Sequence, residues 1–390
     1  MLKLSAATRF GQLKWTLGLG LALAAGAAHA QTNTPKYSNE FMNLGAGARS
    51  LGMGKVQVSL ATDATAGYWN PAALTNLSAH YDGVLMHSEL FSGVVKNDYA
   101  AFAMPLDEKG IASVTVLRTG VDNIADTRLL INQYDGSIDY SRITYFSVAD
   151  YALLLSYARK MGPEGLSVGA SGKFIYRNVG SYANAYGFGV DVGLQYNRKG
   201  WRLGLMARDI TTTFNSWSVD ADKFKASAAV GDQIPVNSTE ITLPRVVLGI
   251  GYQFKLPAQF TALAAVDLEA TTDGKRNTVI SASPVSVDPR LGLEVGYRSL
   301  VFLRGGVGGY QRIQQFDGFT PGGGSNYKQT WKGQYSLGAG VAFSGLRVDL
   351  ALSRLALDVN GGTASQTNSL IVSLGYGFGT RPGTDLPRTN

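Results

Sequence analysis

Apolar and small or polar side chains alternate with a period of two through most of this chain. Leu166, Val168, Ala170, Phe174 and Tyr176 interleave with Ser167, Gly169, Ser171 and Lys173. Tyr186, Phe188, Val190, Val192, Leu194 and Tyr196 interleave with Gly187, Gly189, Asp191, Gly193 and Gln195. The same rhythm returns in 201–208, 246–254, 346–353 and 370–378. Successive side chains of a strand point to opposite faces, so each segment predicts a strand with one greasy face. A soluble sandwich also alternates, but its outward face is polar and its inward face bulky. Here the second face is mostly Gly, Ser and Ala with occasional Arg, Asp and Gln. Aromatics in the greasy row, segments of about ten residues and a polar second face are the pattern of a barrel bathed in lipid.

Fourteen strands are predicted, beginning near Gly83, Asp98, Gly110, Ala149, Gly165, Asn184, Gly200, Leu243, Ala258, Pro289, Leu300, Trp331, Ser344 and Asn368. Every second junction is tiny, as at 107–109, 197–199 and 255–257. The others include long loops, expected over 121–148, 210–242, 271–288, 311–330 and 356–367. Short turns on one side and long loops on the other are what a transmembrane barrel requires. Closure also leaves no strand edge unpaired in lipid. The expected fold is therefore all-β: a transmembrane antiparallel barrel of about 14 strands over residues 83–380. A lumenal hatch or plug over 31–82 precedes it, and a periplasmic tail over 381–390 follows.

Residues 1–30 read as a secretory signal peptide. Lys3, Arg9 and Lys14 form a basic start, 15–27 is apolar, and Ala28-His29-Ala30 offers a cleavage site. Removing it takes away three basic residues and no acidic one, lowering the formal charge from +7 to +4. That is no nucleic-acid footprint. The chain has no cysteine, so disulfide scaffolds and thiolate metal sites are excluded. With 19 Tyr, 16 Phe and only 16% charged residues it is not a disordered chain.

The stretch before the first strand carries Asn43-Leu-Gly-Ala-Gly-Ala-Arg49-Ser-Leu-Gly52-Met53-Gly54 and then Gly67-Tyr-Trp69-Asn70-Pro71-Ala72-Ala73. This hatch motif, centred on Arg49, Gly52, Met53, Gly54, Trp69, Asn70 and Pro71, resembles the PorV/PorQ family of the type IX secretion system. That family lies within the FadL-like superfamily of outer-membrane barrels. The likeness continues through Tyr37-Ser-Asn-Glu-Phe41, Asp98-Tyr-Ala-Ala-Phe-Ala-Met-Pro105 and Arg208-Asp-Ile-Thr-Thr-Thr-Phe-Asn-Ser-Trp217. The resemblance implies a cell outer-membrane protein that binds partners rather than a catalyst. Those partners would be cargo sorting domains, the translocon barrel or the attachment machinery, alongside outer-membrane lipid. The loop over 210–242, with Phe214, Trp217, Phe224 and Ile234, has an interface-like composition and, together with the loop over 121–148, is the expected contact surface; the alternative is that these aromatics pack the loops over the barrel mouth.

No catalytic set emerges. Gly165-Leu-Ser167-Val-Gly169 matches a nucleophile elbow, but it lies inside an alternating strand rather than at a strand-to-helix turn. His80 and His87 lack further metal ligands nearby. Asp135, Asp139, Asp220 and Asp222 are fragments of a calcium ladder, not a whole one. Neither a metal nor a cofactor is expected. Two functions follow from different classes: a partner-binding secretion barrel, and a FadL-like channel for hydrophobic small molecules. The channel should hold an apolar pocket beside the hatch and a kinked, laterally open wall. The docking barrel should have a blocked lumen and apolar surface on its loops or outer wall.

Overall fold

In the computed structural model, the described residues are 39–132, 135–162, 165–224, 236–319, 325–356 and 366–379. They contain sixteen strands: β1 (Tyr81–Leu90), β2 (Val95–Pro105), β3 (Gly110–Asp126), β4 (Thr144–Met161), β5 (Leu166–Val179), β6 (Ala183–Arg198), β7 (Trp201–Arg208), β8 (Thr213–Val219), β9 (Ser238–Thr242), β10 (Arg245–Lys255), β11 (Phe260–Thr271), β12 (Ser286–Tyr297), β13 (Val301–Phe319), β14 (Ser325–Phe343), β15 (Leu346–Ala356) and β16 (Gln366–Phe378). Fourteen of them close into an antiparallel barrel. β1 pairs with β16 from Tyr81↔Phe378 to Glu89↔Leu370, and β6 joins β5 to β7. The remaining two, β8 and β9, form a hairpin that continues the wall beyond β6.

Four of the short turns have two consecutive residues at positive φ: Lys199/Gly200, Ala258/Gln259, Arg298/Ser299 and Ser344/Gly345. Both central residues of a type I′ turn take this conformation, and its twist matches that of the flanking strands. The loops on the other side are shorter than the sequence pattern predicts. β13 and β14 run through most of the expected loop at 311–330, and β3 and β4 extend into the one at 121–148. The expected loop at 210–242 holds the β8–β9 hairpin. The reason is shared: above the membrane both strand faces are wet, so apolar alternation stops while the hydrogen-bond ladder continues.

β7 and β8 are one strand interrupted. The ladder with the returning strand jumps from Arg208↔Arg245 to Thr213↔Thr242, setting four residues (209–212) against two (243–244). Pro244 has no N–H to donate, and Asp209 and Thr212 take positive φ of 55° and 61°. The barrel wall therefore has a built-in fault between Arg208 and Thr213.

Two faces emerge from the alternation. Outward positions such as Leu248, Ile250, Leu293 and Leu350 are 41–51% exposed. Inward positions are buried, and they are buried by residues 39–80, which lie inside the barrel. Among the described residues no helix is long and apolar enough to cross a membrane, so strands alone present the apolar belt. Ile250→Arg, mid-wall on β10, should lower folding stability in lipid by about 2–4 kcal/mol. Leu129→Arg, on an outer loop at 54% exposure, should shift it by under about 0.5 kcal/mol. Denaturant titration in phospholipid vesicles separates the two.

Candidate functional site

The hatch enters from the long-loop end. A 3-10 turn at Glu40–Asn43 leads into the short helices α1 (Ala48–Gly52) and α2 (Ala66–Trp69), then a second 3-10 turn at Pro71–Asn76, and the chain joins β1 at the short-turn end. An apolar core holds it towards β16 and β1–β5, where Phe41, Leu51, Tyr68, Trp69 and Leu74 pack on Met86, Tyr99, Leu117 and Leu154; two further kinds of contact hold the rest.

The first is backbone against glycine. Three pairs of inward glycines sit side by side on neighbouring strands: Gly169/Gly193, Gly204/Gly249 and Gly292/Gly306. A Cβ on Gly204 would lie 2.5 Å from the Val58 carbonyl oxygen, and one on Gly306 would overlap Met53 and Gly54. Side chains at these positions would push the hatch off the wall, so their absence sets how closely it approaches.

The second is polar. Asp267, next to Gly249 in register, accepts the N–H groups of Gln57 and Val58 at 2.8 and 3.1 Å through one oxygen. Asp82 accepts the Ala64 N–H at 2.8 Å and pairs with Arg347 at 2.7 Å. Ser373 accepts the Ala48 N–H at 3.1 Å. Arg49 donates to both oxygens of Glu294, at 2.8 and 3.0 Å. Glu294 in turn holds Arg304 at 2.6 Å, which reaches Asp349 at 2.5 Å. Burial works against the charge on Arg49, but Glu294 outweighs it and keeps the guanidinium ionised.

All seven residues of the expected hatch motif sit in this lumenal packing. Met53 is fully buried against Val56, Leu60, Leu263 and Ala265. Gly54 takes φ +68° beside Val307. Gly52 lies over Gly338. The Trp69 indole donates to the Ala46 carbonyl at 2.8 Å. Asn70 is extended (φ −160°, ψ 105°), as the residue before a proline should be. Its amide nitrogen donates to Val58 and Leu194 carbonyls at 3.0 Å each, while its oxygen accepts from Ala72 and starts the turn at Pro71. It ties both halves of the hatch to one point on β6. Ser167 is a wall residue that bonds hatch Thr75 at 2.7 Å, so the elbow-like motif is structural.

The expected contact residues scatter. Phe214 and Trp217 stand on β8 rather than in a loop, Phe214 outward and half exposed. Trp217 donates to Glu240 at 3.0 Å and stacks under Arg177. Phe224 packs on Tyr182, with Arg128 over both rings. Ile234, the leader at 1–30 and the tail at 381–390 lie outside the described residues. Asp135 and Asp139 bond Ser137 and Ser141 in local turns. Among the described residues no group of His, Asp or Glu could hold a metal ion.

The sequence reading missed the ionic cluster behind the wall fault. Lys173 bridges Asp191 at 2.7 Å and Asp209 at 2.5 Å, and Arg245 reaches Glu269 at 3.3 Å. Glu269 holds Arg290 at 2.6 Å. The available signal was ionisable residues at inward strand positions. The hatch joins this cluster through Glu40, 3.7 Å from Arg245 and 3.0 Å from Arg276.

Two vestibules flank the hatch. The outer one, about 230 Å³, is lined by Glu40, Lys55, Glu269, Arg276, Asp288 and Arg290. The inner one, about 180 Å³, is lined by Arg49, Asp63, Glu294, Arg304, Arg347 and Asp349. Two further gaps beside the hatch are about 10 Å³ each. The lining is charged, not the apolar pocket expected beside a hatch. Lys55, whose ammonium donates to the Asn43 carbonyl at 3.1 Å, is lowered to about 8 by burial and by neighbouring Arg290.

No family model and no curated protein matches this sequence. Solved structures do match its fold. The Pseudomonas putida toluene transporter TodX aligns at 14% identity and TM-score 0.53, covering 86% of this chain and 99% of that one. The monoaromatic hydrocarbon channel CymD aligns at 14% and 0.52, covering 87% and 99%. A Pseudomonas aeruginosa FadL homologue aligns at 12% and 0.50, covering 85% and 98%. At these identities the likeness is one of fold: a FadL-like barrel.

Two measurements test the site. Glu294→Gln leaves Arg49 and Arg304 with an uncharged partner and should cost about 3–5 kcal/mol, read as earlier protease cutting within 45–60. For Lys55, the folded chain loses its proton near pH 8, the unfolded chain only near about 10.4. Folded stability therefore rises from pH 8 towards 10. Acylation of Lys55 should follow a midpoint near 8, and Lys55→Met should abolish the stability slope.

Proposed function

We propose that this chain is an outer-membrane, FadL-like barrel that admits hydrophobic small molecules, with residues 39–80 as its gate. The carrying observation is the hatch itself: a segment lying between two vestibules and seated on bare glycines, hydrogen bonds and ion pairs. On the β6–β15 side such contacts can be exchanged for water when the segment moves, while on the other side an apolar face packs against β16 and β1–β5. The solved barrels of this fold that carry toluene and monoaromatic hydrocarbons in their names support the same reading. The wall fault at 209–212 interrupts the ladder between neighbouring strands, although its inner side is charged.

A second reading has its own support. The gaps beside the hatch are small and polar, and the fault is backed by Lys173, Asp191 and Asp209. These features fit a docking barrel of the PorV-like, type IX secretion kind, whose lumen need not conduct. Its partners would be cargo sorting domains or the translocon.

Because the chain has no cysteine, an engineered pair gives one defined disulfide. Ala48→Cys with Ser373→Cys should lock the hatch to β16. Under the channel reading, uptake of labelled toluene into proteoliposomes falls to the empty-vesicle rate when oxidised and recovers on reduction. Unlocked protein that passes no more toluene than empty vesicles, yet captures a sorting domain from outer membranes, would select the docking reading instead.

A further inference from the structure

We propose that the short-turn rim over β6–β7, β10–β11 and β12–β13 binds anionic phospholipid of the periplasmic leaflet. The lipid phosphates rest on Arg198, Lys199, Lys255 and Arg298. This rests on the barrel spanning an outer membrane and not on what the lumen carries.

Three neighbouring hairpins carry cations and no acid. The sequence has no Asp or Glu in 192–208, 245–266 or 295–316. At the short-turn ends of these stretches stand Arg198, Lys199, Arg202, Lys255 and Arg298. All but Arg202 are exposed. Among the described residues none of the five has a carboxylate partner. Arg202 turns inward, to the Gln253 side-chain oxygen at 2.7 Å and the Leu60 carbonyl at 3.5 Å. Lumenal cations such as Arg49, Lys173 and Arg304 instead each meet an acid. The rest of the rim also differs. The β2–β3 turn sets Asp107 and Glu108 beside Lys109, and the β4–β5 connection adds Glu164 to Arg159 and Lys160. The β14–β15 turn at Ser344-Gly345 is uncharged, and Arg347 beside it pairs with Asp82 at 2.7 Å.

The three turns form one arc. β6, β7, β10, β11, β12 and β13 are successive strands of the wall. The first and last of the three turns are therefore four strand spacings apart, about 19 Å. Backbone bonds tie turn to turn. The Gln253 N–H donates to the Gly200 carbonyl at 3.0 Å, and the Arg298 N–H to the Gln259 carbonyl at 3.0 Å. The cations thus project from a fixed frame.

Their height is that of lipid headgroups. Trp201 stands opposite Tyr252, and Phe260 opposite Tyr297, with ring centroids 4.8 Å apart in each pair. Outward aromatic rows of this kind mark the membrane–water interface. Arg198 shares the outward face of Leu194 and Tyr196 and donates to the Tyr196 hydroxyl at 3.4 Å. The Arg298 guanidinium lies 5.2 Å from the centre of the Tyr297 ring. Two of the cations are thus held against the aromatic belt, where an acidic protein would first have to displace lipid. A zwitterionic headgroup brings its own ammonium and leaves these cations uncompensated. A lipid of net negative charge neutralises them, each cation strengthening its retention about fivefold. Arginine adds the planar fork suited to phosphate.

The test is native mass spectrometry of the full-length protein, released from nanodiscs of phosphatidylethanolamine mixed equally with phosphatidylglycerol. Wild type should retain phosphatidylglycerol in excess. Arg198→Gln and Arg298→Gln should each lower that excess about fivefold. Adding Lys199→Gln and Lys255→Gln to both should bring retention to the ratio in the disc. Arg198→Lys should lose less, and Lys109→Gln, on the turn with its own acids, should change nothing. Added salt should weaken retention by wild type. Heat-modifiable gel migration confirms that each variant is folded. Equal retention of the two lipids by wild type would overturn the proposal, as would an unchanged excess in every variant. So would an acidic protein that co-purifies from outer membranes in place of the lipid and is lost in the same variants. The hatch-locking uptake experiment reads a different quantity, so its failure leaves this one standing.

Discussion

In hydrocarbon an unpaired N–H or C=O has no water to turn to, so a sheet can span a membrane only if its first strand meets its last. Here that meeting is β1 with β16, which brings Tyr81 against Phe378 across nearly the whole chain. Closing fourteen strands also fixes a circumference. Eight strands leave an interior that their own side chains fill, and the diameter grows with strand number. Walls that point Gly, Ser and Ala inward cannot fill the larger space, which is left to water or to another segment of the chain. Here residues 39–80 occupy it.

What fills the lumen is uneven. Towards β16 and β1–β5 the hatch packs Phe41, Leu51, Tyr68, Trp69 and Leu74 against Met86, Tyr99, Leu117 and Leu154. Towards β6–β15 the wall offers a ring of Asp, Glu, Arg and Lys. Removing these charges from water is unfavourable, and each is balanced only by its partners. The ring therefore contributes more to where the hatch sits than to how firmly it sits. An apolar face can slide, whereas Arg49 meets both oxygens of Glu294 in one position. The arrangement combines a greasy bearing on one side with a polar latch on the other.

The wall fault belongs to the same design. A bulge that sets four residues against two leaves 189–191 without a regular neighbour on the β7–β8 side, and Lys173, Asp191 and Asp209 stand behind it. Ile210 still reaches the Val190 carbonyl at 3.0 Å, so the wall is interrupted rather than open. The solved barrels of this fold share its frame, and the lumenal lining of this chain is charged.

The strands were legible because alternation is enforced by the membrane: one face in lipid and one in a narrow lumen leave a period-two trace for each of the fourteen. The hatch was legible through its glycines, Trp69 and Asn70-Pro71, since backbone close to a wall tolerates few residue types. The β8–β9 hairpin and the tops of β13 and β14 left no such trace, because water on both faces imposes no pattern. Inward Asp and Arg could be seen as inward, but not as partners. Arg49 and Glu294 lie 245 positions apart, and only closure of the barrel decides which charges meet. By itself the chain determined which side of each strand is greasy; the tertiary fold decided which inward groups touch, because neighbours across a lumen are set by register rather than by order along the backbone.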